Sequence, residues 1–272
     1  MNHKKPRTFL YLLNPCAVLL ICFTLAACAV FKHDFPPEAP EIQWDKETPK
    51  GVLNRLRQDQ ERIVDFTAYF SLSLDPPPEG QPSHMQGALF FARGVEEPLV
   101  RIKVLAPFGR LIFDMVRKGD EVQIYIPSRH TLYRGWAENK KETGSVWGDM
   151  LTTMFMDFAD VALPREAVLS FIEDMVILPL VDGKLLIDRE KALVRKWHQE
   201  GQVTTYDHYE YKPNLPPIPT RIGVRKTDGS QKALLRLNQV QVNSNTGHVF
   251  DLSGYKARFI RDISELDALP GS

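Results

Sequence analysis

Cys28 is the residue in this chain best placed for covalent chemistry. It follows Leu25-Ala26-Ala27, so two small residues precede a thiol at the end of an apolar run. A thiol in that position is a nucleophile that can carry a covalently attached group. The other two cysteines, Cys16 and Cys22, lie inside the apolar run. If residues 1–27 are cut away, Cys28 stands alone, which leaves no intramolecular disulfide and no zinc–cysteine cluster. Elsewhere the sequence has no G-x-S-x-G, no H-E-x-x-H and no phosphate-cradling P-loop. His3 would leave with the leader, and His33, His84, His130, His198, His208 and His248 lack metal-ligand spacing. His208 sits among Tyr206, Tyr209 and Tyr211 and reads as a surface or hydrogen-bonded strand residue. Asp149, Asp157 and Asp160 read as solvated helix positions, because nothing near them argues for a raised pKa. These residues call for no metal, no cofactor and no catalysis.

The segment before Cys28 has three parts. Lys4, Lys5 and Arg7 are a basic start, Phe9 to Phe23 is almost wholly apolar, and the small residues follow. That is the layout of a secretory leader. A spanning helix fits less well, since Asn14 and Pro15 interrupt a run already short of the roughly 20 residues needed. The tetrapeptide resembles the bacterial lipobox, in which a diacylglyceryl group joins the cysteine before cleavage. That resemblance implies a membrane anchor at Cys28. Ala29 stands where an Asp would mark inner-membrane retention, so the same resemblance implies the outer membrane, facing the periplasm.

Removing residues 1–27 leaves 245 of the 272 residues, with 31 basic against 34 acidic. A nearly neutral chain gives no electrostatic argument for nucleic acid. Residues 28–49 contain Pro36, Pro37, Pro40 and Pro49 and read as a tether. Residues 50–265 read as one domain. Val52 to Phe66 has the apolar spacing of an amphipathic helix. Period-two strands are expected at 67–74, 85–93, 99–105, 111–116, 122–126 and 131–135. Their short turns favour an antiparallel meander. Trp147, Met150, Leu151, Met154, Phe155 and Phe158 then recur at helical spacing, with Ser145 as N-cap. A short helix is expected to start at Pro164 and run through Val168 and Phe171. Strands return at 185–187 after an Asp182-Gly183 turn, which reads as a hairpin, and at 203–211, 218–226, 233–242 and 250–259. In the fourth of these strands, Leu235 and Leu237 are expected on one face and Leu234, Val240 and Val242 on the other.

The stretch from Gly87 to Gly135 carries a family resemblance. It reads G-A-L-F-F, then P-L-V-R-I-K-V-L-A-P-F-G-R-L-I-F, then D-E-V-Q-I-Y-I-P and T-L-Y-R-G. This resembles the LolA/LolB-like superfamily of lipoprotein-localisation factors, especially the outer-membrane acceptor type. The resemblance implies an α+β, mainly β fold: one antiparallel sheet curled into a half-open barrel with covering helices. It implies that acyl chains of lipoproteins or lipids bind between sheet and lid, delivered by a periplasmic carrier protein. Phe70, Leu72, Leu89, Phe91, Ile102 and Val104 are then the expected sheet wall. Met150, Leu151, Met154, Phe155 and Phe158 are the expected lid. Phe108, in Ala106-Pro107-Phe108-Gly109, takes the place of an exposed apolar turn residue in the acceptor type. It either dips into a membrane interface or folds back onto the sheet.

From the residues alone, the strand Met85 to Arg93 is apolar on both faces, which suits a ligand cavity or a second core layer equally. The methionines of 147–158 suit a surface that accepts varied apolar ligands, or an ordinary core helix. Whether residues 184–260 complete the barrel or extend it is open at this level. The alternative function is a structural or sensing envelope lipoprotein that docks a protein partner.

Overall fold

The computed structural model describes residues 42–77, 83–94, 97–136, 161–244 and 250–266. The leader, Cys28, the first part of the tether and the helix expected at 147–158 lie outside the described residues.

Helix α1 spans Pro49–Glu61. The Thr48 hydroxyl accepts from the Gly51 N–H at 3.1 Å, and Pro49 occupies the first turn, where no N–H is needed. Val52 and Leu53 are buried against the sheet, each worth roughly 1.5–3 kcal/mol. The helix is shorter than the apolar spacing suggested, because Phe66 belongs to the strand that follows. Packing also reaches back before it. Trp44 is buried, and its indole N–H donates to the Arg189 carbonyl at 2.7 Å.

The strands are β1 (Asp65–Asp75), β2 (His84–Arg93), β3 (Pro98–Leu105), β4 (Leu111–Lys118), β5 (Glu121–Ile126) and β6 (Thr131–Trp136). They continue as β7 (Ser170–Ile172), β8 (Met175–Leu180), β9 (Gly183–Asp188), β10 (Val194–Gln199) and β11 (Gln202–Glu210). The last are β12 (Ile218–Lys226), β13 (Lys232–Val242) and β14 (Phe259–Asp262). All fourteen join one sheet in the order β14-β6-β5-β4-β3-β2-β1-β13-β12-β11-β10-β9-β8-β7. The sheet is curled and does not close; β14 and β7 are its edges. The first meander is as expected, and residues 184–260 complete the same sheet through the antiparallel pairing of β1 with β13. β14 is the exception in direction, since it lies parallel to β6.

Four expectations are corrected. No helix starts at Pro164: Ala167 N–H bonds the Pro164 carbonyl in a single turn, and Phe171 then enters β7, a hairpin partner of β8. Strands β7 and β10 are additional to those expected, while the Asp182-Gly183 hairpin forms between β8 and β9. Residues 250–258 are irregular and cross the back of the sheet, and only Phe259–Asp262 pairs. Val240 and Val242 share the core face with Leu235 and Leu237. The cause is a bulge at Gln239, where φ is +51° and the register with β1 slips by one.

Candidate functional site: the concave face of the open sheet

The inner face is built by strand alternation, which sends every second side chain to the same side. All six expected wall residues fall on it. Across the register, Leu89 stands opposite Ile102, and Gly87 opposite both Phe70 and Val104. Leu72 faces Met85, and Phe91 faces Phe66. Gly87 leaves room for the Phe70 ring: a Cβ there would lie 2.3 Å from Phe70 Cζ. Phe91 is partly buried, and the other five are almost wholly withdrawn from solvent. The face continues across β1 to Leu235, Ile222, Tyr206, Leu185 and Leu178. Its described cover is α1, Trp44, and the C-terminal residues Ile263 and Leu266. The expected lid residues Met150, Leu151, Met154, Phe155 and Phe158 lie outside the described residues.

The inner face is not uniform. Trp197 on β10 stands opposite Thr204 on β11, and both join the concave core. The indole Nε1 of Trp197 and the hydroxyl of Thr204 are buried without hydrogen-bond partners among the described residues. Sequence reading passed over this pair because β10 carries a bulge between Val194 and Lys196. The extra residue, Arg195, breaks the alternation and places both Val194 and Trp197 inward. Arg195 itself pairs with Asp188 at 2.9 Å and lies over the Tyr209 ring. Burial pushes the Asp188 pKa up, but N–H donors from Lys191 and Glu190 and the Arg195 guanidinium outweigh it and hold the carboxyl below its ordinary value.

The convex face holds a second, smaller cluster. Val116, Tyr125, Leu132 and Leu252 are buried together, with Phe250 and Tyr255 packed beside them. The Tyr125 and Tyr255 rings stack with centroids 4.2 Å apart. Arg101, next to Ile102 on β3, points to this opposite face and forms a two-pronged pair with Asp114 at 3.0 and 2.7 Å. Asp114 is 0% exposed, so this pair is sealed beneath the C-terminal segment.

At the β3–β4 turn, Phe108 does not fold back. It is fully exposed and adopts φ +67°, a left-handed backbone that a non-glycine residue rarely takes. Gly109 follows at φ +76° and Arg110 is exposed. Among the described residues, no group of three or more His, Cys, Asp or Glu could hold a metal ion. No described helix is long and apolar enough to cross a membrane.

No protein-family model and no curated protein sequence matches the chain at a significant level. Solved structures do match it. A DUF1329 family protein from Desulfovibrio piger ATCC 29098 aligns at TM-score 0.57 and 10% identity, covering 76% of this chain and 97% of that one. A putative outer membrane lipoprotein-sorting protein domain from Vibrio parahaemolyticus aligns at 0.56 and 12% identity, covering 77% and 100%. A LolA superfamily protein from Nitrosomonas europaea aligns at 0.48 and 14% identity over 72% and 93%. The chain therefore has the open, curled-sheet fold of the first two, and the likeness at these identities is one of fold.

Proposed function

We propose that the chain is a lipid-anchored, non-catalytic carrier that takes up acyl chains against the concave face and hands acylated proteins to the outer membrane. The observation that carries this reading is the concave face itself, one continuous apolar wall spanning both halves of a sheet that does not close. A chain of about 14 methylenes gains roughly 11 kcal/mol on full burial, at 0.8 kcal/mol for each. An apolar wall can thus compete with a bilayer for the same chain, and transfer needs no bond to break. Cys28 would hold the carrier on the membrane, and a periplasmic carrier would act as donor. Phe108 would be the contact with the bilayer. An aromatic side chain held in solvent on a left-handed backbone stabilises nothing within the fold, and such outliers cluster at functional positions.

The depth of burial of Leu72, Leu89, Ile102 and Val104 favours a second reading, in which the face is a permanent core and the protein docks a partner or has a structural role.

Mass spectrometry separates the two. The measurement is made on a soluble form starting at Ala29, purified from a bacterial periplasm under native conditions. Acyl lipid or lipopeptide is expected to co-purify. It should be lost when Met154 and Phe155 are both changed to Asp while circular dichroism shows the fold intact. A clean protein that also takes up no fluorescent fatty acid would favour the docking reading.

A further inference from the structure

The concave wall is chemically uneven. On β1 to β3 its residues Phe70, Leu72, Leu89, Ile102 and Val104 offer hydrocarbon only. On β10 and β11, Trp197 and Thr204 stand opposite each other on the same face as Leu185, Tyr206 and Val224. Thr204 is 0% exposed, and its hydroxyl and the Trp197 N–H both lack a partner among the described residues. A nearby group shows what satisfaction looks like, since the Tyr209 hydroxyl donates to the Val194 carbonyl. Buried polar atoms are normally paired, so two orphans side by side ask for a common partner. Indole N–H is a donor only, and a hydroxyl can donate as well. Two neutral donors on one patch of wall match a neutral acceptor. A carboxylate buried there would need a counter-charge, which neither residue supplies.

We propose that Trp197 and Thr204 form a hydrogen-bonding anchor for the ester carbonyl of an acylated ligand whose hydrocarbon lies along β1 to β3. This rests on the acyl-binding reading and adds a polar address within it. The anchor would select glycerolipid-type esters over plain hydrocarbon and fix how far a chain enters.

The test is competition on the full chain. N-phenyl-1-naphthylamine fluorescence is displaced by 1,2-dioctanoylglycerol or by its dioctyl ether, which lacks the carbonyls. The ester is expected to bind about tenfold more tightly than the ether, the worth of one or two net hydrogen bonds. Thr204→Val keeps shape, Trp197→Phe keeps an aromatic ring but drops the N–H, and each should bring that ratio towards one, read as the ester-to-ether ratio within each variant. An equal preference in the unaltered chain, or a preference unmoved by both substitutions, would overturn the anchor and leave the acyl-binding reading standing. Failure of both ligands to displace the probe would overturn both.

Discussion

Tyr255 donates its phenolic O–H to Asp114 at 2.7 Å, although 141 residues separate them in the chain. The bond pins the C-terminal segment to the back of β4, beside the Arg101–Asp114 pair. Burial, and then the Asp114 carboxylate, push the Tyr255 pKa up to about 12. Tyr255→Phe should lower stability by about 1–3 kcal/mol, because the buried Asp114 carboxylate loses a donor. The pH dependence has a definite sign. The folded state keeps the proton longer than the unfolded one, so the contribution is whole below pH ~10 and falls as pH rises towards ~12. Urea unfolding of both proteins at several alkaline pH values should show their stabilities converging over that window. A constant gap would show that the hydroxyl contributes nothing through its proton.

Gly87 is a tight point of the inner wall. A methyl group there would lie 2.1 Å from the Lys103 carbonyl oxygen and would overlap the Phe70 ring. Gly87→Ala should cost about 1–3 kcal/mol through overpacking. The denaturant midpoint should drop with an unchanged slope.

Phe108 should behave in the opposite way. Phe108→Gly relieves a left-handed residue and removes no buried contact. Stability should hold or rise by up to about 1 kcal/mol. Binding of a form starting at Ala29 to phospholipid vesicles should fall by about tenfold, given the transfer energy of an aromatic ring. A sedimentation assay that shows equal binding would remove Phe108 from the membrane contact.

Trp44 ties the segment before α1 to the turn after β9. Trp44→Ala should cost about 3–5 kcal/mol, as for other buried aromatics. Thermal unfolding measures it directly. A change below 1 kcal/mol would mean that the domain does not depend on this residue.

What the sequence made legible was regular alternation. Phe70, Leu72 and Leu74, then Ile102 and Val104, then Val122, Ile124 and Ile126 keep strict period two, and all lie on the core side. Where a bulge inserts a residue, the pattern misleads. Gln239 moved Val240 across the sheet, and Arg195 hid β10 together with Trp197. The apolar residues of 250–258 looked like a strand because Leu252 and Tyr255 pack against the convex face, which needs no ladder. Unsatisfied donors are illegible for a deeper reason. Whether Thr204 has a partner depends on every neighbour in space and on no local spacing.

The central position of β1 also sets a schedule. Val64 N–H is held by the Asn243 side chain across 179 residues, beside the seam where β1 meets β13. During synthesis at about 5–20 residues per second, that seam waits on the order of 10–40 s for its second strand. The six-strand meander is complete long before, with the apolar side of β1 and its free edge unguarded. A nascent chain in that state is open to pairing with a neighbour, so the fold depends on being shielded until its last third arrives.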